Sequence, residues 1–293
     1  MTEVPFDQCT LQNCPLSRAL YQYIPSLGAN AFFLVYFGLC CIMSILALIF
    51  LKPRSWFFTI AMICGCVCEI LGYTGRLLSH ENPFRLTPFL IQICCLTMGP
   101  AYFSAAVYYS LSELIKVVGP QYSRLRPFYY TIIFCSCNLI SLSLQGAGGG
   151  LASVASEKLQ DPYVGDDIML SGLASQVFSL TIFIALSFEY FWRATNHGCN
   201  PFRAGWPFLG TILSIAFATL FILIRSVYRV VELSEGWNGY LIGVESYFIV
   251  LEGLMITLSS ITLCLAHPAF WGAWKDDVKG CSVIDPVTEM SEA

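Results

Sequence analysis

Apolar residues along this chain fall in long unbroken runs, not in the two- or three-to-four-residue periods of half-buried elements. Seven runs can be drawn, from Ala29 to Leu51, Trp56 to Leu78, Pro88 to Leu111, Phe128 to Gly150, Ile168 to Phe191, Gly205 to Arg225 and Glu245 to Ala266. Each approaches or exceeds the roughly 20 residues that an α-helix needs to cross a bilayer core of about 30 Å. A lipid-facing barrel would alternate apolar and polar side chains, so the pattern predicts an all-α, polytopic membrane protein with seven transmembrane helices. On this reading residues 1–28 form an amino-terminal segment, 29–266 the helical domain and 267–293 a polar tail. The first 28 residues lack the basic start and apolar core of a cleavable signal, so the first span is expected to direct insertion itself.

Basic residues set the expected orientation. With the amino terminus outside, the cytoplasmic segments hold Lys52, Arg54, Lys116, Arg124, Arg126, Arg193, Arg203, Lys275 and Lys279. The other side holds Arg18, Arg76, Arg85, Lys158, Arg225 and Arg229, several of them within spans. Trp56, Trp192, Trp206, Trp271 and Trp274 fall at the cytoplasmic interface and Trp237 outside, which favours the same orientation, with the carboxyl terminus in the cytoplasm.

Composition narrows the chemistry further. Hydrophobic residues make up 56% of the chain and charged residues 12%, about half the charge of a soluble domain. The net charge of −4 leaves no basic face for nucleic acid. Most of the fourteen cysteines lie in or beside spans, where thiols pack as small apolar groups. Cys64, Cys66 and Cys68 cannot share a helix face, and no histidine lies near them, so packing is favoured over metal binding. Cys9 and Cys14, in the external segment, are expected to form a small disulfide loop. Cys281 in the tail is a weak palmitoylation candidate. His80, His197 and His267 cannot gather into a zinc set, no lysine within a span could carry retinal, and no phosphate-binding loop occurs. The chain is therefore expected to use no cofactor and to catalyse no reaction.

Ionisable groups inside spans cost about 2.5–3.5 kcal/mol each on insertion scales, so the few present carry the most information. Glu69 and Arg76 share one stripe of the second span about 10 Å apart, with Gly65 and Gly72 beside them. Gln92 opens the third span, and Asn138 and Gln145 lie in the fourth before GAGGG. Arg225, Tyr228, Arg229 and Glu232 share a face at the end of the sixth, and Glu245 and Glu252 a stripe of the seventh. All fall in the outer half of the expected bilayer, whereas the inner half offers little beyond Glu189, paired with Arg193. Such a near-neutral cluster reads either as pairing that fixes helix register or as a headgroup site for an amphiphile, with its tail against the apolar wall.

Several motifs in order are similar to the fungal lipid-translocating exporter family, which includes the resistance-to-aminocholesterol proteins. They are YQYIPSLGAN from Tyr21, EILGYTGR from Glu69, the stretch from Gln92 to Tyr108 containing Pro100, LQGAGGG from Leu144, RSVYRVVELSEG from Arg225, and the Glu245–Glu252 pair followed by His267–Pro268. The resemblance implies a seven-span protein of the plasma membrane that moves amphiphilic lipids such as sphingoid long-chain bases and contributes to resistance against amphiphilic toxicants. Carried over by position, its motif residues are Glu69, Gly72, Arg76, Gln92, Gln145, Gly148, Arg225, Tyr228, Arg229, Glu232, Glu245 and Glu252. Asn138 stands where an aspartate is expected in many relatives, and Glu252 where aspartate is common. On this reading Glu69, Glu245 and Glu252 counter an amine, while Arg76, Arg225 and Arg229 set their geometry or bind phosphate. Glu69 or Glu252 is also a candidate proton carrier, since low dielectric favours a neutral carboxyl. The rival reading is a heptahelical lipid sensor without transport activity.

Overall fold

The computed structural model describes residues 13–15, 19, 21, 23–50, 55–157, 161, 163–196, 206–235 and 239–268. Cys9, Cys281 and most of the tail lie outside them; Cys14 is disulfide-bonded. The described chain is all-α, with seven helices long and apolar enough to span a membrane. These are α1 (Leu27–Phe50), α2 (Trp56–Glu81), α3 (Leu86–Val118), α4 (Pro127–Glu157), α5 (Tyr163–Asn196), α6 (Trp206–Ser234) and α7 (Glu245–Leu265). Each expected span coincides with one helix, but several helices run well past it.

The excess has local causes. At 33 and 34 residues, α3 and α5 measure about 50 Å at 1.5 Å per residue, so both project beyond a hydrocarbon core. Helix α3 stops only at Gly119, whose φ of +144° suits a residue without a Cβ, before a short 3-10 turn at Pro120–Tyr122. Helix α4 continues through GAGGG instead of ending there, because the glycines serve packing. A Cβ on Gly148 would lie 2.5 Å from the Met169 nitrogen of α5, and one on Gly165 would lie 2.4 Å from the Ala152 nitrogen of α4. The two backbones therefore meet directly, the close approach that small residues permit inside membranes.

Helix α3 is the central element, packed against α2, α4, α6 and α7, and more of its apolar window is buried than of any other helix. Around it Phe37 of α1 stacks on both Tyr73 of α2 and Phe103 of α3, and Tyr108, Phe134 and Phe183 join α3 to α4 and α5. The peripheral helix α1 instead exposes Phe32, Val35, Leu39, Met43 and Phe50, an apolar surface suited to lipid and not to water. Helices α1, α3, α5 and α7 begin at the face where the chain enters the bundle, and α2, α4 and α6 end there. The polar side chains converge at this amino-terminal face.

Candidate ligand site at the amino-terminal face

Arg76, near the end of α2, lies only 1% exposed at the meeting point of three helix beginnings. Its Nε donates to Asn30 Oδ1 of α1 at 2.8 Å, and its Nη2 donates to Glu245 Oε1 of α7 at 3.3 Å. Nη1 reaches Gln92 Oε1 of α3 at 3.5 Å. The guanidinium carbon sits 3.8 Å from the centre of the Phe248 ring, a close cation–π contact. Gly75 lets α3 come this near, since a Cβ there would stand 2.7 Å from the Pro88 carbonyl.

The segment preceding α1 completes this layer. Tyr21, 2% exposed, packs on Phe89, Ile93 and Met169, and its hydroxyl donates to Gln92 Oε1. Tyr23 Oη accepts from Arg76 Nη2 at 3.0 Å, and the Ser26 amide donates to Glu245 Oε1 at 2.6 Å. His80 Nδ1 lies 2.7 Å from the Pro25 carbonyl. Burial pushes the Tyr21 phenol up to about 12, opposed by the positive charge of Arg76, so this phenol keeps its proton at neutral pH. Burial raises Tyr23 as well.

About two helical turns further into the bundle lies a second layer. Arg225 of α6, wholly buried, donates through Nη2 to Glu252 Oε1 of α7 and to the carbonyl oxygen of Leu96 in α3. That carbonyl is the one Pro100 leaves without a helical donor, because proline at i+4 carries no N–H. Arg229 places Nε 3.0 Å from Glu252 Oε2 and donates from Nη1 to Glu232 Oε2 at 2.6 Å, while Tyr228 donates to Glu232 Oε1 at 3.0 Å. Residues Phe248–Leu254 of α7 form a π-helical segment, a widening frequent at functional sites. It carries Phe248 to Arg76 and Glu252 to both deeper arginines, and Gly253 admits Phe33, to which a Cβ would come within 2.5 Å.

Glu69 differs from the other acids. It is 1% exposed, and neither carboxyl oxygen has a hydrogen-bond partner among the described residues. Its carboxyl rests on Gly99 of α3, where a Cβ would fall 2.3 Å from Oε1. Arg225 Nε and Nη1 are likewise unmatched. The cluster thus contains three guanidinium groups, Arg76, Arg225 and Arg229, and four carboxyl groups, Glu69, Glu232, Glu245 and Glu252, one more acid than base. Above it a narrow pocket with about 20 Å³ of internal space is lined by Tyr21, Tyr23, Arg76, Gln92, Arg229 and Glu232 together with Phe89, Ile93, Leu233, Ile242 and Phe248.

Of the expected site residues, Glu69, Arg76, Gln92, Arg225, Tyr228, Arg229, Glu232, Glu245 and Glu252 lie in these two layers. Asn138 and Gln145 do not join them. Asn138 Nδ2 donates across to the Ala101 carbonyl at 3.1 Å, and Gln145 Nε2 to Gln176 Oε1 of α5 at 3.0 Å, beside a Ser141–Ser175 contact at 2.8 Å. Both belong to the seams that α4 makes with α3 and α5, and this separation follows from α4 packing on the far side of α3 from α6 and α7. A pattern of ionisable residues within spans passes over Tyr21, Tyr23, Asn30 and Phe248, although the YQYIPSLGAN motif contains the first three. Phe248 nevertheless lies three residues after Glu245 and four before Glu252, on the same stripe.

A family model described as "RTA1 like protein" matches residues 62–273. The sphingoid long-chain base transporter RSB1 of Saccharomyces cerevisiae is 33% identical over 93% of this chain and 78% of its own length. Protoporphyrin uptake protein 1 of the same yeast is 30% identical over 77% of this chain and 73% of its own. Protein RTM1, also from that yeast, is 27% identical over 80% and 75% respectively. No solved structure matches. With the family model covering most of the chain and the two-layer charged cluster built from the same motifs, this seven-helix membrane protein belongs to the RTA1-like family.

Proposed function

We propose that the chain exports amphiphilic lipids of the sphingoid long-chain-base class across the plasma membrane, with its amino terminus outside, and so contributes to resistance against amphiphilic toxicants. The observation that carries this reading is the buried cluster's single surplus carboxyl beneath a pocket at the amino-terminal face. An arriving ammonium group would give that surplus carboxyl a partner with which to ionise, whereas an anion would gain nothing from it. A long-chain base offers one amine on one alkyl tail, and the exposed apolar helix surfaces leave that tail in hydrocarbon. The similarity to a yeast protein named as a sphingoid long-chain base transporter supports the same ligand class.

An amine entering the pocket meets Glu232 first, with Glu252 and Glu69 lying deeper. Of the four acids Glu69 is the one with no donor among the described residues, so it has the most to gain from a cationic partner. Arg225 and Arg229 hold Glu252 and Glu232 in place and keep the layer from collapsing onto the ligand's charge. The test is translocation of a fluorescent sphingoid base by purified protein in liposomes. Glu69→Gln combined with Glu252→Gln is expected to reduce the rate at least tenfold; an unchanged rate would remove these roles. Tight binding with translocation at background would instead favour the sensor reading.

A further inference from the structure

The amino-terminal segment fills part of the site with its own hydroxyl groups. Arg76 Nη2 donates to Tyr23 Oη, while Gln92 Oε1 accepts from the Tyr21 hydroxyl. The donor and the acceptor belong to one place, because Arg76 Nη1 is itself 3.5 Å from Gln92 Oε1. Both tyrosines line the pocket, next to Glu232 and Arg229. Neither is needed to hold Arg76, which keeps Asn30, Glu245 and the Phe248 ring without them.

We propose that Tyr21 and Tyr23 stand in for the hydroxyl groups of a ligand, and that Arg76 and Gln92 form a hydroxyl-recognising subsite for an amino-alcohol headgroup. This rests on the amphiphile-transport reading and sharpens it. A hydroxyl accepting from Arg76 and a second donating to Gln92 reproduce the two roles that the phenols play. Two hydroxyls on the carbons flanking an amine-bearing carbon, as in a 2-amino-1,3-diol, can reach a guanidinium and an amide oxygen that themselves sit in contact. The adjoining amine then faces Glu232, the acid that lines the same pocket. A plain alkylamine has no group to replace either phenol and leaves the tyrosines in place. Tyr21 and residues 23–26 thus act as an internal competitor that yields to hydroxylated bases, and the two tyrosines determine specificity without touching the amine.

The experiment compares binding of sphinganine and octadecylamine to the protein in lipid nanodiscs. In the Tyr21→Phe/Tyr23→Phe variant the ring packing stays, but Arg76 and Gln92 lose their phenol partners. Sphinganine is expected to bind about tenfold more tightly than to the wild type, the worth of a hydrogen bond to a charged group, with octadecylamine unchanged. Equal shifts for both ligands, or none, would assign the phenols a structural role only and overturn the inference while leaving transport intact. Failure of the wild type to bind either amine would overturn both readings together. A second measurement needs no variant, namely hydrogen exchange at residues 23–26 of the wild type. Sphinganine should accelerate exchange there, including the Ser26 amide that Glu245 now holds, and octadecylamine should not. Slower exchange with sphinganine would mean that the segment clamps the ligand instead of yielding to it, and would also refute the inference.

Discussion

Arg225 of α6 donates to the backbone carbonyl of Leu96 in α3, an oxygen that has no helical donor of its own because residue 100 is proline. The same Nη2 also reaches Glu252 of α7, so one guanidinium ties together three helices at a depth where water is scarce. In hydrocarbon an unmatched carbonyl costs several kcal/mol, so the helix break and the arginine are two halves of one solution.

That relationship predicts an unusual outcome for Pro100→Ala. Alanine restores an N–H to α3 and improves helix propensity by about 3 kcal/mol, while the charged hydrogen bond that it makes redundant is worth about 1.5–3 kcal/mol. Thermal stability in detergent should therefore change little or rise. Transport should fall severalfold, because Arg225 loses the anchor that fixes its position against Glu252. A large loss of stability with transport preserved would show that the break serves packing only.

Removing one half of a buried ion pair differs from removing both. Arg225→Met leaves the Leu96 carbonyl and one Glu252 oxygen without this donor, and breaking such a pair costs about 3–5 kcal/mol. Arg225→Met with Glu252→Met should recover only the part of that loss that comes from the stranded Glu252 charge, since the Leu96 carbonyl stays unmatched and Arg229 loses one of its two acid partners. Neither variant should transport. The check is a double-mutant cycle on thermal midpoints, in which additive effects would deny the coupling.

Much of this was readable from residue order. Seven apolar runs give the seven helices, and ionisable residues are so scarce within them that Glu69, Arg76, Arg225, Arg229, Glu232, Glu245 and Glu252 could be assembled by spacing alone. Asn138 and Gln145 were drawn into the same group because depth along a helix can be counted, whereas the face it turns to each neighbour depends on which helices pack together. Tyr21 and Tyr23 lie before the first span, where no periodicity constrains a position. The partnership of Pro100 with Arg225 joins a backbone atom to a side chain 129 residues away, and residue spacing does not register such a contact.

The glycines of LQGAGGG should separate into two kinds on substitution by alanine. At Gly148 a Cβ would meet the backbone of Met169 and Gly165, which cannot swing aside, so Gly148→Ala should force α4 and α5 apart at a cost of about 1–3 kcal/mol. Gly165→Ala, which would meet the backbone of Ala152, should behave alike. At Gly146 and Gly150 a Cβ would meet nothing within 4 Å, and alanine there should be neutral or stabilising by up to about 1 kcal/mol. Thermal midpoints of the four single variants in one detergent decide it, and equal losses at all four would mean that the motif matters as a flexible segment.

The two ends of the chain differ in how they respond to pH. His267 follows α7 at the opposite end of the bundle, where its ring stands edge-on to Phe58 at 4.9 Å between centres and its Nε2 lies 3.3 Å from Thr59 Oγ1. Burial holds its imidazolium pKa below the ordinary 6.5, so the folded protein binds this proton less readily than the unfolded chain. Stability from this group is therefore complete above about pH 6.5 and declines as pH falls through the unfolded value toward the lower folded one. His267→Phe, which keeps a ring against Phe58, should flatten the thermal midpoint between pH 7.5 and about 5.5 relative to the wild type. The phenols at the other end keep their protons throughout this interval, because burial raises both Tyr21 and Tyr23. Binding of a hydroxylated base at the amino-terminal face should accordingly owe none of its pH dependence over that range to these tyrosines. If Tyr21→Phe and Tyr23→Phe altered the pH slope of binding as well as its strength, their hydroxyls would be titrating, contrary to the burial seen here.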